Sequence, residues 1–448
     1  MKKGIMFIAT LLLSAGTIMA DTPKKWTMKE CIDYAIANNI TLQKSRLTKQ
    51  SSIEDLKQSK SDLLPSLSFS TNQSLGYKPW TNSGTSTVTN GTVSTSVSKT
   101  YYNGNYGLNA SWTVWNGNKN RNTVKLNQLT AQQAELDSAV TANSIQEQIA
   151  QLYVQILYLS EAINVNKHSY ETSMKNEELG KEKVNVGKMS KADLAQLTAQ
   201  TAQDKYNIVE AESNLANYKL QLKQVLEITD DQGFDVYVPS TSDDNALAEI
   251  PSLQSVYESA LALRPEIENG KLAIKSSDLS LTIAKAGSMP TVSLTGGVGT
   301  SNTSMNSKAW GTQIKTNFDA SVGATLSIPI FDNRSTKTAV NKAKIQRETS
   351  MLELKDKQKQ LYSTVEGYWL DANTNQQKFK AAASSVESEQ ASYDLLSEQF
   401  KLGLKNIVEL MTGKTNLLNA QQNKLQSKYM TILDQQLLKF YKGETLNI

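Results

Sequence analysis

The stretch Phe318-Asp319-Ala320-Ser321-Val322-Gly323-Ala324-Thr325-Leu326-Ser327-Ile328 alternates apolar and small or polar residues without a break. Successive side chains of a β-strand point to opposite faces, so this period of two predicts a strand with one apolar and one polar face. Three more segments read the same way. Leu67, Phe69, Leu75 and Tyr77 alternate with Ser66, Ser68, Ser70, Asn72 and Ser74. Tyr106, Leu108, Ala110, Trp112 and Val114 alternate with Gly107, Asn109, Ser111 and Thr113. Val292, Leu294 and Val298 alternate with Thr291, Ser293, Thr295 and Gly297. Strands are therefore expected near 65–77, 104–115, 290–300 and 317–330.

Alternation alone also describes a soluble sandwich whose faces pack together. Three properties point instead to a membrane barrel. The polar faces consist of Ser, Thr, Asn and Gly, which suits a watery lumen. The segments approach the ~9–11 residues of a tilted membrane strand. Aromatics stand near the segment ends, at Tyr77, Trp80, Tyr102, Tyr106, Trp115, Phe318 and Phe331, where interfacial girdles form. On this reading Leu67, Phe69, Leu108, Trp112, Leu294, Val322 and Leu326 face lipid. Four strands cannot close a barrel, and an open edge in lipid leaves backbone groups unpaired at several kcal/mol each. Two chains would supply eight strands and three would supply twelve. The strand geometry requires an oligomer without choosing between them. The Ser-, Thr-, Asn- and Gly-rich segments 78–101 and 300–316 read as exposed hairpin loops, the first longer than the second.

The strands belong to a unit that occurs twice. Ala35, Leu47, Lys60, Pro65 and Ser68 recur at Ala260, Leu272, Lys285, Pro290 and Ser293; Ser111, Glu182, Gly187 and Leu194 recur at Ser327, Glu398, Gly403 and Leu410. Each copy reads helix, strand, loop, strand, long helix, turn, helix. The copies are placed at 21–228 and 251–448, with a linker at 229–250. Residues 118–179 contain neither Gly nor Pro, and as one helix they would be about 93 Å long. Their apolar stripe is narrow: Ile145, Ile149, Leu152, Ile156, Leu159 and Ile163. Such a helix suits a coiled coil or the wall of a tube. Pro265 marks a helix start.

The long helices end in paired turns. Gly187 and Gly403 fit left-handed helix stops. Ser190 and Asn406 fit N-caps, and Asp193 and Glu409, three residues on, are expected to complete capping boxes. Turn tips are thus expected near 187–190 and 403–406. Val186, Gly187, Lys188 and Asp193, with Leu402, Gly403, Lys405 and Glu409, are the candidate site. The acids either cap the helices or also ring and gate a pore mouth, and the two roles are compatible.

The chain starts with Lys2-Lys3, an apolar run from Ile5 to Leu13 and small residues up to Ala20. That is the pattern of a secretory signal at 1–20, too short to span a bilayer. The formal charge is +4, or about +2 without the signal, and no basic block of the kind that tracks nucleic acid is present. The single cysteine, Cys31, excludes an intrachain disulfide and reads as a small buried helix residue. His168 is the only histidine, and there is no phosphate-cradling loop or metal-spaced cluster. Enzymatic function and a cofactor are not expected.

These features resemble the TolC family of outer-membrane efflux and secretion channels. The resemblance rests on the doubled unit, the strand-to-helix junctions Trp112-Thr113-Val114-Trp115-Asn116-Gly117 and Ile328-Pro329-Ile330-Phe331-Asp332-Asn333, and the tip spacings Val186-Gly187 to Asp193 and Leu402-Gly403 to Glu409. Asn116 and Glu409 stand where the family usually has Asp. Thr412 stands where a second tip acid is frequent, which implies a weaker cation ring. The resemblance implies a mainly α protein with membrane β: a homotrimer whose twelve-stranded barrel, four strands per chain, continues into a periplasmic α-helical barrel. It implies a periplasmic adaptor meeting the tip glycines, an inner-membrane pump, and outer-membrane lipid around the strands. A periplasmic adaptor or a structural coiled-coil envelope protein is the competing class. The first would carry one hairpin between small β modules, the second longer heptads and no paired strands.

Overall fold

The computed structural model describes residues 25–80, 84–88, 91–95, 98–229, 233–239 and 241–447. The expected signal at 1–20 and part of the linker lie outside these residues. In chain order the elements are β1 (Lys25–Trp26), α1 (Met28–Asn38), α2 (Ile40–Ser61), β2 (Ser66–Tyr77), β3 (Gly84–Val88), β4 (Gly91–Thr95), β5 (Thr100–Trp115), α3 (Lys119–Asn185) and α4 (Lys191–Val225). They continue with β6 (Asp235–Val236), α5 (Asp243–Ala246), α6 (Leu253–Leu263), α7 (Pro265–Lys285), β7 (Thr291–Thr303), α8 (Trp310–Thr316), β8 (Asp319–Ser327), α9 (Ser335–Lys401) and α10 (Ile407–Tyr441). Helices α3 and α9 are both 67 residues long, about 100 Å each; α4 and α10 are both 35. No described helix is long and apolar enough to cross a membrane.

The chain divides into two compact units that cut across the sequence copies. One comprises residues 43–141 and 264–361, the other 1–42, 142–263 and 362–448.

The first unit holds a four-stranded antiparallel sheet in the order β2-β5-β7-β8. Opposed residues of an antiparallel pair share a face. The pairings Phe69↔Leu108, Leu108↔Val298 and Val298↔Ala320 make one row; Trp112↔Leu294 and Leu294↔Ala324 make another; Gly296↔Val322 and Val292↔Leu326 extend the same face. All seven residues named above as lipid-facing lie on this face and are exposed, Val322 by 91% and Leu67 by 69%. The opposite face carries Ser66↔Ser111, Asn109↔Gly297 and Thr295↔Gly323. A bulge between Thr113 and Trp115 brings Trp115 opposite Val292, on the apolar face. At the base, the Trp112 indole donates to the Leu63 carbonyl at 2.9 Å. Every described residue of β8, and every residue of β2 but Gly76, is exposed, and among the described residues neither strand has a second neighbour.

Three expectations about this region need correction. The strand expected at 317–330 is shorter, Asp319–Ser327, leaving Phe318, Ile328 and Phe331 outside it. Segment 300–316 is not simply a loop: β7 runs to Thr303, and α8 follows. Beyond Gly299 β7 has no β8 partner, so α8 and its flank satisfy its edge. The Gln313 side chain accepts from the Thr303 amide at 2.8 Å, and Asn317 donates to the Ser301 carbonyl at 2.7 Å. Segment 78–101 likewise carries the β3–β4 hairpin, and β5 already begins at Thr100.

At both strand-to-helix junctions two consecutive residues have positive φ: Gly117 and Asn118 (65° and 63°), and Asn333 and Arg334 (50° and 70°). The next helix is capped from the same place each time. Asn116 Oδ1 accepts from the Asn120 amide at 3.2 Å, and Asp332 Oδ2 from the Thr336 amide at 2.8 Å. Asn116 and Asp332 thus supply the same kind of capping oxygen.

In the second unit, the stripe Ile145, Ile149, Leu152, Ile156, Leu159 and Ile163 is buried. Much of it joins Met28, Cys31, Leu42, Leu222, Leu226, Tyr429 and Leu437 in one core. Strand β1 pairs parallel with β6, Trp26 opposite Val236. The Tyr153 hydroxyl, deep in the core, donates to the Tyr237 carbonyl at 2.6 Å. Helix α1 begins with a full capping box, Thr27 with Glu30; in the first unit, α7 begins with Pro265 in its first turn after the N-cap Arg264.

Asp434 is a buried acid in this unit, held by Asn375 at 2.9 Å. Burial pushes its carboxyl up to about 7, Asn375 opposes the rise, and Asp371 adds to it. A folded-state value above the unfolded one means that this carboxyl's contribution to stability is fully present below about pH 4 and is lost as pH rises towards 7. We expect Asp434→Asn to flatten the rise in urea sensitivity between pH 5 and 8 and to stabilise the protein at pH 8. An unchanged profile would show that the carboxyl ionises without cost.

Candidate functional site at the hairpin tips

Both tips lie in the second unit. Helix α3 stops at Gly187, φ 71°, where the Gly187 amide donates to the Val184 carbonyl at 3.0 Å and the Lys188 amide to Lys183 at 2.7 Å. Helix α9 stops at Gly403, φ 80°, with the equivalent bonds from Gly403 to Phe400 at 3.1 Å and from Leu404 to Gln399 at 2.9 Å. These are Schellman stops, which need a left-handed residue. A Cβ at either glycine would meet nothing within 4 Å. Backbone conformation, not crowding, calls for glycine, and the space beside each is open. Val186, Leu402 and Leu404 stand exposed around them at 67, 75 and 72%.

The restart of each hairpin differs. Asn406 Oδ1 accepts from the Glu409 amide at 3.0 Å, and Glu409 returns a carboxylate oxygen to the Asn406 amide at 3.3 Å. Its other oxygen takes Lys405 Nζ at 2.6 Å. Lys405, then the Asn406 amide, hold the Glu409 carboxyl below its usual range. In the first hairpin Ser190 Oγ accepts from the Asp193 amide at 3.0 Å, but the Asp193 side chain does not reach back, so the expected box is half formed. Aspartate is one methylene shorter than glutamate, and only glutamate closes the ring. Among the described residues the Asp193 carboxylate and the Lys188 ammonium have no charged partner.

The sequence reading missed what joins the two hairpins. Lys183, on the last turn of α3, donates to the Phe400 carbonyl at the end of α9 at 2.6 Å, and its ammonium lies 4.6 Å from the Phe400 ring centroid. Burial, reinforced by Lys188, holds this lysine below its usual value. Farther along, Lys414 of α10 pairs with Asp204 of α4, both buried, and contacts Ser173 of α3. Ser173 Oγ donates to Asp204 at 2.6 Å, and Gln200 reaches the second carboxylate oxygen at 2.9 Å. Burial lowers the Lys414 ammonium and Asp204 opposes that shift. A buried pair gives register more readily than net stability. Between the ties lies a cluster of Leu197, Tyr393, Phe400, Ile407, Leu410 and Leu417.

Each hairpin is also closed by a glycine under a leucine. A Cβ on Gly180 of α3 would lie 2.6 Å from Leu197 Cδ1 of α4, and one on Gly413 of α10 would lie 2.6 Å from Leu396 Cδ1 of α9. A glycine inside a helical pattern was the only sequence signal for this close approach.

Restoring reach at the first tip should tighten it. Asp193→Glu is expected to slow amide exchange over 188–194, and Glu409→Asp to speed it over 404–410, in hydrogen-exchange mass spectrometry. Equal exchange in wild type and both variants would refute the difference between the caps. Gly187→Ala or Gly403→Ala imposes a left-handed alanine at about 1–2 kcal/mol. Each should fray its own tip without altering the other.

Comparison with known proteins agrees with this architecture. Residues 31–226 and 256–444 match the family model described as outer membrane efflux protein. The chain is 22% identical to the outer membrane protein TolC of Escherichia coli, covering 100% of this chain and 87% of that protein. It is 20% identical to the outer membrane efflux protein BepC of Brucella suis, over 95% and 87%. Among solved structures, the fold is similar to CusC (TM-score 0.79, 16% identity, 97% and 96% of the two chains) and to the Campylobacter jejuni CmeC outer membrane channel (0.75, 20%, 94% and 87%). With both of these long segments matched, the chain belongs to the outer membrane efflux protein family.

Proposed function

We propose that the chain is the outer-membrane duct of an efflux or secretion assembly, and that it forms a pore only as a homotrimer. The observation that carries this reading is the sheet. Its apolar face is exposed, its other face is polar, and its outer strands β2 and β8 have no second strand partner among the described residues. In hydrocarbon such edges must pair, which a monomer cannot do. Three copies joined β8 to β2 supply twelve strands around a polar lumen. Helices α3, α4, α9 and α10 then continue the duct as a helical barrel in the periplasm. The two sequence copies, at 21–228 and 251–448 about the linker 229–250, supply equivalent staves, and the equal lengths of α3 and α9 and of α4 and α10 support that division.

Conduction through such a duct is passive. Substrate enters at the tips, and the driving energy comes from an inner-membrane pump through a periplasmic adaptor. The exposed Val186, Leu402 and the open space at Gly187 and Gly403 suit docking of the adaptor. Lys188, Asp193, Lys405 and Glu409 suit a charged mouth, and Leu67, Phe69, Leu108, Trp112, Leu294, Val322 and Leu326 suit the lipid face. The chain acts as a conduit, not an enzyme, and uses no cofactor. The family's members are efflux proteins, which disfavours the adaptor and coiled-coil readings.

The oligomer should appear in the outer-membrane fraction as a trimer that dissociates on heating before electrophoresis; a monomer in the soluble periplasm would overturn the reading. In planar bilayers, Asp193→Ala combined with Lys405→Ala should raise the closed-state conductance several-fold. No change would show that these two residues do not gate the mouth.

A further inference from the structure

The sheet carries enough detail to fix how one copy pairs with the next. Resting on the trimeric reading above, we infer that β8 of each copy pairs with β2 of its neighbour in the register Leu326·Leu67, Ala324·Phe69, Val322·Thr71 and Ala320·Gln73.

The first constraint is parity. The Lys78 amide bonds the Lys99 carbonyl at 2.7 Å, so the even residues of β2 turn their amides to β5 and the odd ones, Leu67, Phe69 and Thr71, turn theirs to the open edge. The Ser304 amide bonds Tyr102 at 2.8 Å, so β5 uses its even residues towards β7. It follows through β7 that Val322, Ala324 and Leu326 are the residues of β8 that turn their amides outward. Both open edges thus present donors and acceptors from residues of the apolar face. A seam that pairs them keeps apolar side chains on one side, whereas a slip of one residue would turn them into the lumen.

The second constraint is closure. Three-fold symmetry and parity together require the stagger once round the barrel to be a multiple of about 6 residues. With about 3.4 Å per residue and about 4.8 Å between strands, staggers of roughly 6, 12 and 18 residues tilt twelve strands by about 20°, 35° and 47°. Membrane barrels tilt by about 35–45°. The middle value fits, a step of about four residues at each seam.

The third constraint is hand. Drawn with β2 running upward and its apolar side chains towards the viewer, an L-residue turns its N–H and C=O to the right. The open edge is therefore on the right, and β5, β7 and β8 follow to the left. The right-handed tilt of barrel strands makes a row of paired residues climb to the left. The row Leu67, Ala110, Gly296, Val322 enters the neighbour higher up, at Thr71. An independent fit follows: Ser327 meets Ser66 and Asp319 meets Ser74, so all of β8 pairs and its lower end is flush with the start of β2.

In this seam the lumen-side pairs, such as Thr325 with Ser68, are the close, non-hydrogen-bonded ones, about 4.5 Å between Cα atoms and within reach of a disulfide. The test uses full-length protein with Cys31→Ala, each variant first shown to run as an unheated oligomer. Thr325→Cys with Ser68→Cys should give covalent oligomers on a heated, non-reducing gel. Thr325→Cys with Ser66→Cys or with Ser70→Cys should give monomers. Crosslinking through Ser66 or Ser70 in place of Ser68 would overturn the register. Oligomers with no crosslink in any pair would overturn the β8–β2 seam. Absence of an oligomer in the Cys31→Ala parent would instead overturn the trimeric reading.

Discussion

Backbone hydrogen bonding in an apolar medium governs the rest of this molecule. A strand edge in water is a hazard of aggregation; in lipid it costs several kcal/mol for each unpaired group. Among the described residues, two long edges, those of β2 and β8, have no strand partner. The contrast with β7 is instructive. Where β7 outruns β8, Gln313 and Asn317 cover its amides and carbonyls with side chains. Side-chain capping is therefore used where an edge is to stay single, and β2 and β8 have none of that kind among the described residues.

The helical unit combines rigidity with differences between its two hairpins. Both stop at a left-handed glycine and restart at a side-chain cap, yet only the second closes its capping box and neutralises its lysine. Among the described residues, the first leaves the half-buried Asp193 carboxylate and the exposed Lys188 ammonium without a charged partner. Lys183 and the Lys414–Asp204 pair tie the hairpins at two levels. Of the two, the buried pair is the costlier to break, because removing one partner strands a charge.

Much of this was legible in the sequence. Period-two alternation located the four strands, since a half-buried strand cannot hide its two faces. A gap in Gly and Pro located the long helix, and paired glycines located its turns. The misses share a cause. Asp193 satisfied the spacing of a capping box, but spacing does not weigh the reach of a side chain. Lys414 and Asp204 are polar residues in polar helices, and nothing local distinguishes them from solvated ones until α4 and α10 are packed. Helix α8 and the pairing of β1 with β6 depend on neighbours distant in sequence, which no local pattern reports.

The glycine–leucine contacts bear on how a doubled chain stays doubled. In the first copy the glycine lies on the outgoing helix and the leucine on the returning one; in the second copy the order is reversed, Leu396 against Gly413. A genetic exchange between the copies, with its crossover in the turn, would join α3 to α10 or α9 to α4. The first hybrid sets Gly180 against Gly413 and leaves a void; the second sets Leu396 against Leu197 and forces the helices apart. Inverting one knob and one hole thus makes the helices of the two hairpins non-interchangeable at this contact.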